Sequence, residues 1–160
     1  MPLRTNADLL VQMAVTGAVS QPGLRYPGYR PDTQGMSTIL PGMAGVVYNA
    51  RVGDPAFGWA ADHLEPGISI HNSDSAAEFA LHYLTCMGNK AIVTSGLAAG
   101  AEGIVTGEHA RLLIDFPDEA KELMCIGDNV QIIAHGRGIQ FVDYPQVELK
   151  KCSPELLDSI

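Results

Sequence analysis

The order of apolar and polar positions divides the chain unevenly. Residues 9–19, LLVQMAVTGAV, fit neither the helical nor the strand period cleanly. Their β-branched content and Gly17 predict a strand after a capped turn at Thr5-Asn6. Further strands are predicted at Gly45–Val52, at Ile68–Ile70 behind the Pro66-Gly67 turn, and at Ala91–Thr94, Ala110–Phe116, Val130–Ala134 and Ile139–Val142. Two helices interrupt them. Ser75 and Glu78 have the spacing of a capping box, Phe79, Tyr83 and Cys86 fall on one helical face, and Gly88 supplies a left-handed stop. Pro117, followed by Asp118 and Glu119, opens the second helix, which ends before Gly127-Asp128. The run Leu123–Ile132 has the turn-into-strand pattern of small β-barrels. The expected fold is α+β: a β-rich, barrel-like or swivelling-type sheet with two short helices, in one domain over residues 1–160.

Composition narrows the functional classes. The net charge is −8 with ten basic residues, and Lys150-Lys151 is the only adjacent pair, so nucleic acid and anionic membrane are excluded as main partners. No apolar run reaches the length of a membrane span and no signal core stands at the N-terminus, which makes cytoplasmic the plain expectation. Cys86, Cys125 and Cys152 have neither even number nor CxxC spacing, which argues against a disulfide framework or thiolate zinc site. Cys86 and Cys125, each near the end of a helix, are expected to be buried and inert. A charged fraction of 18% is low for a domain wetted on all sides and favours a homo-oligomer.

Residues 17–67 hold nine of the 17 glycines and six of the 10 prolines, with aromatic and ionisable residues interleaved. Tight turns around such groups are how loops carry sites, so this segment is the expected site-bearing region. Asp62, His63 and Glu65 cluster there and are the candidate catalytic residues, His63 as a proton carrier near neutral pH. Asp62, His63 and His71 are the candidate ligands for a divalent metal, if the Pro66-Gly67 turn brings them together. Arg25 and Arg30 flank two tyrosines and suit a carboxylate or phosphate. With Tyr48, Trp59, His71, Asn72 and His109 they form the candidate ligand-binding set. The bland alternatives are polar turn residues, surface ion pairs and core aromatics. His82 is expected to be structural. The glycines at 96, 100 and 103 lack the spacing of a dinucleotide or P-loop cradle and read as a turn between strands.

GVVYNARVGDPAFGWAADHLEPGISIHN, GNKAIVTSGLAAGAEGIVTGEHARLLIDFP and IGDNVQIIAHGRGIQFVDYP together resemble one prokaryotic family, a domain of unknown function represented by structural-genomics structures. The resemblance runs from about Leu9 to Leu157 and implies no activity. Its members are longer, which implies that this chain corresponds to the N-terminal part of a larger unit, with a second polypeptide as a possible source of the C-terminal region. The acidic motif of acetamidase/formamidase-type hydrolases has no counterpart here. Ser153-Pro154 adds a helix start near the C-terminus. Two functional readings stand: an enzyme or enzyme subunit acting on a small anionic molecule, by metal-assisted hydrolysis or lyase chemistry, and a non-catalytic ligand-binding or assembly subunit.

Overall fold

The computed structural model describes residues 3–21, 23, 28–38 and 67–160. Its centre is a closed antiparallel barrel. The strands are β1 (Met13–Val19), β4 (Ile68–His71), β5 (Lys90–Val93), β6 (Glu102–His109), β7 (Arg111–Asp115) and β8 (Asn129–Ala134), in the order β1-β4-β7-β6-β5-β8. Two short strands, β2 (Arg30–Pro31) and β3 (Ser37–Thr38), form a separate hairpin. The barrel closes where β1 pairs with β8 along its whole length, Met13 opposite Ala134 through Ala18 opposite Asn129.

Alternation along the strands fills the interior. Val130, Ile132 and Ala134 of β8, Leu112 and Ile114 of β7, and Val15 and Val19 of β1 all point inward and are buried. Three helices, α1 (Ser75–Leu84), α2 (Asp118–Leu123) and α3 (Pro154–Asp158), accompany the barrel, and Leu81 of α1 and Ala120 of α2 join its buried core. Helix α1 packs on β1 at Gly17. A Cβ there would sit 3.0 Å from Leu81 Cδ2 and 3.1 Å from the His71 carbonyl, so the missing side chain is what lets the helix approach the strand.

The expected strands at 68–70, 91–94, 110–116 and 130–134 form within a residue or two of their predicted bounds, and the first strand begins at Met13 after a turn of 3₁₀ helix at Ala7–Leu9. The expected strand at Gly45–Val52 lies outside the described residues. Several local expectations are corrected. The cap of α1 is Asp74, whose Oδ1 accepts from the Ala77 N–H at 2.8 Å, and Ser75 is the first helical residue. Phe79 and Tyr83 face solvent while Leu81 takes the core position. No strand forms at Ile139–Val142, where only isolated bridges join Phe141 to Thr5 and Gln140 to Glu148. The glycine-rich stretch turns only as far as Gly100, after which Gly103 and Gly107 lie within β6. Cys125 is exposed, whereas Cys86 is buried as expected.

Candidate functional site

Three local anomalies converge on one side of the barrel. Among the described residues, only Ala110 (φ 54°) and Lys151 (φ 49°) adopt a left-handed backbone without being glycine. Thr85 Oγ1 is the buried side-chain polar atom with no hydrogen-bond partner there. All three residues line a cavity of about 520 Å³, together with Cys86, Met87, Glu108 and His109.

Each wall has a local cause. Helix α1 stops at Thr85, which is extended (φ −69°, ψ 136°), and the following turn is braced by buried Asn89. Its Oδ1 accepts from the Cys86 N–H at 2.7 Å, and its Nδ2 donates to the His135 carbonyl at 2.7 Å. The opposite wall is the β6–β7 hairpin, which turns back at Ala110 and carries a bulge between Val105 and Gly107. Bulges re-aim side chains and gather beside sites. Lys151 closes the third side. Its carbonyl accepts from the Met87 N–H at 2.8 Å, and the Met87 carbonyl accepts from the Ser153 N–H at 2.9 Å, which pins the segment that holds it left-handed.

A chain of polar contacts runs along the rim. His82 Nδ1 lies 2.8 Å from Glu108 Oε1, and its Nε2 lies 3.2 Å from Glu78 Oε1. A neutral imidazole donates to only one of these carboxylates, whereas an imidazolium donates to both. Lys151 Nζ pairs with Glu108 Oε2 and donates to the His82 carbonyl at 2.9 Å. Arg111 Nη1 donates to Glu78 Oε1 at 3.4 Å, and the Asn72 N–H donates to Glu78 Oε2. Burial pushes the Glu108 carboxyl up. The hydrogen bonds and charges of Lys151 and His82 outweigh it, holding Glu108 below its ordinary value. Burial pushes the Cys86 thiol up, so it is no ready nucleophile.

Of the residues expected from sequence, His109 lines the cavity and Asn72 joins the rim through Glu78. His71 is not among the residues lining the cavity; its Nδ1 lies 2.9 Å from the hydroxyl of buried Ser20. Arg30 lies on the separate hairpin, opposite Thr38. Arg25, Tyr48, Trp59, Asp62, His63 and Glu65 lie outside the described residues. Among the described residues no group of three or more His, Cys, Asp or Glu side chains is placed to hold a metal ion. The sequence reading missed Thr85, Glu78 as a rim residue, Glu108 and Lys151. Only Gly107-Glu108-His109 beside a predicted turn hinted at them.

Fold and site define a closed antiparallel β-barrel with a largely apolar cavity on its flank, into which Thr85, Glu108, His109 and Lys151 bring polar groups. Residues 29–158 match the domain of unknown function DUF4438, N-terminal, and the chain belongs to this family, as its resemblance implied. It is also similar to a solved structure, the crystal structure of TM1086, at 38% identity and a TM-score of 0.86. That similarity covers 98% of this chain and 56% of TM1086, so the chain spans little more than half the length of that protein. No curated protein matches the chain. No helix among the described residues is long and apolar enough to cross a membrane.

Proposed function

We propose that the chain is a ligand-binding barrel domain, and that the cavity between Thr85, the β6–β7 hairpin and Lys151 takes a small molecule bearing a carboxylate or phosphate. The observation that carries this reading is the convergence of two strained residues and one unpartnered buried hydroxyl on a single cavity. Strain and unsatisfied polar groups cost stability and gather where a ligand uses them. The volume suits a small molecule. Lys151, His109 and the Thr85 hydroxyl are the groups that would meet an anion. The ammonium of Lys151 offsets the charge of Glu108 in their ion pair, and of its three N–H donors two go to Glu108 and the His82 carbonyl, which leaves one for an anion. With its pKa held down, Glu108 serves as an anchor for Lys151 better than as a proton acceptor at neutral pH.

The enzyme reading rests on Asp62, His63 and Glu65, with Asp62, His63 and His71 as metal ligands, and its support is their clustering in the sequence. A functional unit with more polypeptide than this domain is supported by the N-terminal family match and by the 56% coverage of TM1086. The binding reading is tested by titrating inorganic phosphate and succinate into the protein and its Lys151→Met and His109→Ala variants. Loss of a charge-assisted hydrogen bond should weaken binding about tenfold or more with folding retained. No saturable binding by the unmodified protein, or equal binding by both variants, would overturn it.

A further inference from the structure

The outer face of α1 carries a second feature, separate from that cavity. Phe79 and Tyr83 stand one turn apart, 70% and 48% exposed, with ring centroids 5.9 Å apart and planes within 10° of parallel. The guanidinium carbon of Arg137 lies 4.0 Å from the Tyr83 ring centroid. Arg137 is presented by a turn whose flanking glycines are both left-handed, Gly136 at φ 121° and Gly138 at φ 88°. A Cβ on Gly136 would run into the Cys152 carbonyl and would lie 2.9 Å from Ser153 Cα. The turn is therefore seated against the segment entering α3, and the base of Arg137 is fixed.

Charge sets Arg137 apart. The chain carries a net charge of −8. Arg4, Arg111, Lys90, Lys121, Lys150 and Lys151 each meet a carboxylate. Arg137 meets none among the described residues. Tyr83 occupies the face of its guanidinium and leaves the N–H edge without a protein acceptor there. Beside it lies a cavity of about 490 Å³ with Ile139, Pro145 and Val147 in its wall; Glu148 also lines it, its carboxylate paired at 3.4 Å with the ammonium of Lys150 at the margin.

We infer that this is a binding site for a small aryl carboxylate. The carboxylate meets the in-plane N–H fork of Arg137, which matches its geometry, and the ring lies against Tyr83 and the Pro145–Val147 wall. An ion without an apolar body leaves that wall wet, and an apolar ring without charge leaves the fork unpaired.

Amide-resolved NMR titration with benzoate, benzyl alcohol and acetate tests this. Benzoate should shift the signals of Tyr83, Arg137, Gly138 and Val147 saturably, and the other two probes should bind about tenfold more weakly or worse, since each lacks half of the match. Arg137 is exposed, so Arg137→Gln should fold normally and lose benzoate affinity about tenfold or more. Arg137→Lys should also weaken it, because an ammonium lacks the fork. His109→Ala, in the other cavity, should leave the benzoate shifts in place. The inference fails if benzoate produces no saturable shift, if Arg137→Gln binds it unchanged, if either partial probe binds equally well, or if His109→Ala abolishes the shifts.

Discussion

Replacing Thr85 with Val separates stability from binding at the site. Thr85 is 1% exposed and its Oγ1 has no partner among the described residues. In the unfolded chain that hydroxyl bonds to water, so folding carries an uncompensated desolvation cost of about 1–3 kcal/mol on mutational scales. Valine has nearly the same shape and the same β-branching, and it suits the extended backbone at φ −69°, ψ 136°. The substitution removes the penalty without opening a cavity. The expected gain is about 1–2 kcal/mol. For a chain of this size that corresponds to a rise of about 2–4 °C in Tm per kcal/mol. Equilibrium urea unfolding should show a higher midpoint with an unchanged slope. If the hydroxyl serves a ligand, the same variant should bind that ligand less tightly, since a site built to bond a hydroxyl discriminates against its absence. A Val variant less stable than the natural protein would show that the hydroxyl is satisfied, and the reasoning would be refuted.

Three further outcomes follow from the same structure. The folded pKa of Glu108 lies below its unfolded value, so its contribution is complete above the unfolded pKa and is lost as pH falls through the folded one. Glu108→Gln should therefore destabilise the protein at pH 7, and its unfolding curve should converge with that of the natural protein below the ordinary glutamate pKa of about 4.3; a constant gap in acid would contradict this. Gly17→Val should cost about 1–3 kcal/mol by forcing Leu81 and α1 off β1, read from chemical denaturation; a neutral result would mean that α1 yields freely. An aromatic disulfide reagent should modify exposed Cys125 first, half-buried Cys152 more slowly, and buried Cys86 only on unfolding; Cys86 reacting as fast as Cys125 would contradict its burial.

The barrel was legible because its strands carry the right local signals. Val130-Gln131-Ile132-Ile133-Ala134 alternates in and out after a Gly-Asp turn, and Ile68-Ser69-Ile70 follows a Pro-Gly turn. The face of α1 was misread because Phe79 and Tyr83 look like core residues by size and spacing. The helix instead docks through fully buried Leu81, with Leu84 packed against the same core, and Gly17 lets it come close, so the rings stay outside. Ile139–Val142 has strand composition but lacks a free barrel edge, since β8 already pairs with β1 and β5. The cavity was the least legible part. It joins Thr85, Glu108 and Lys151 across the fold, and a left-handed Lys or an unpartnered Thr leaves no mark in a sequence.

Amide-resolved NMR mapping of inorganic phosphate and succinate on the natural protein decides whether the cavity beside Thr85 and Lys151 binds anions. Saturable shifts should centre on Thr85, Glu108, His109 and Lys151 and be lost in Lys151→Met. Shifts centred elsewhere, or none at millimolar concentrations, would contradict anion binding there.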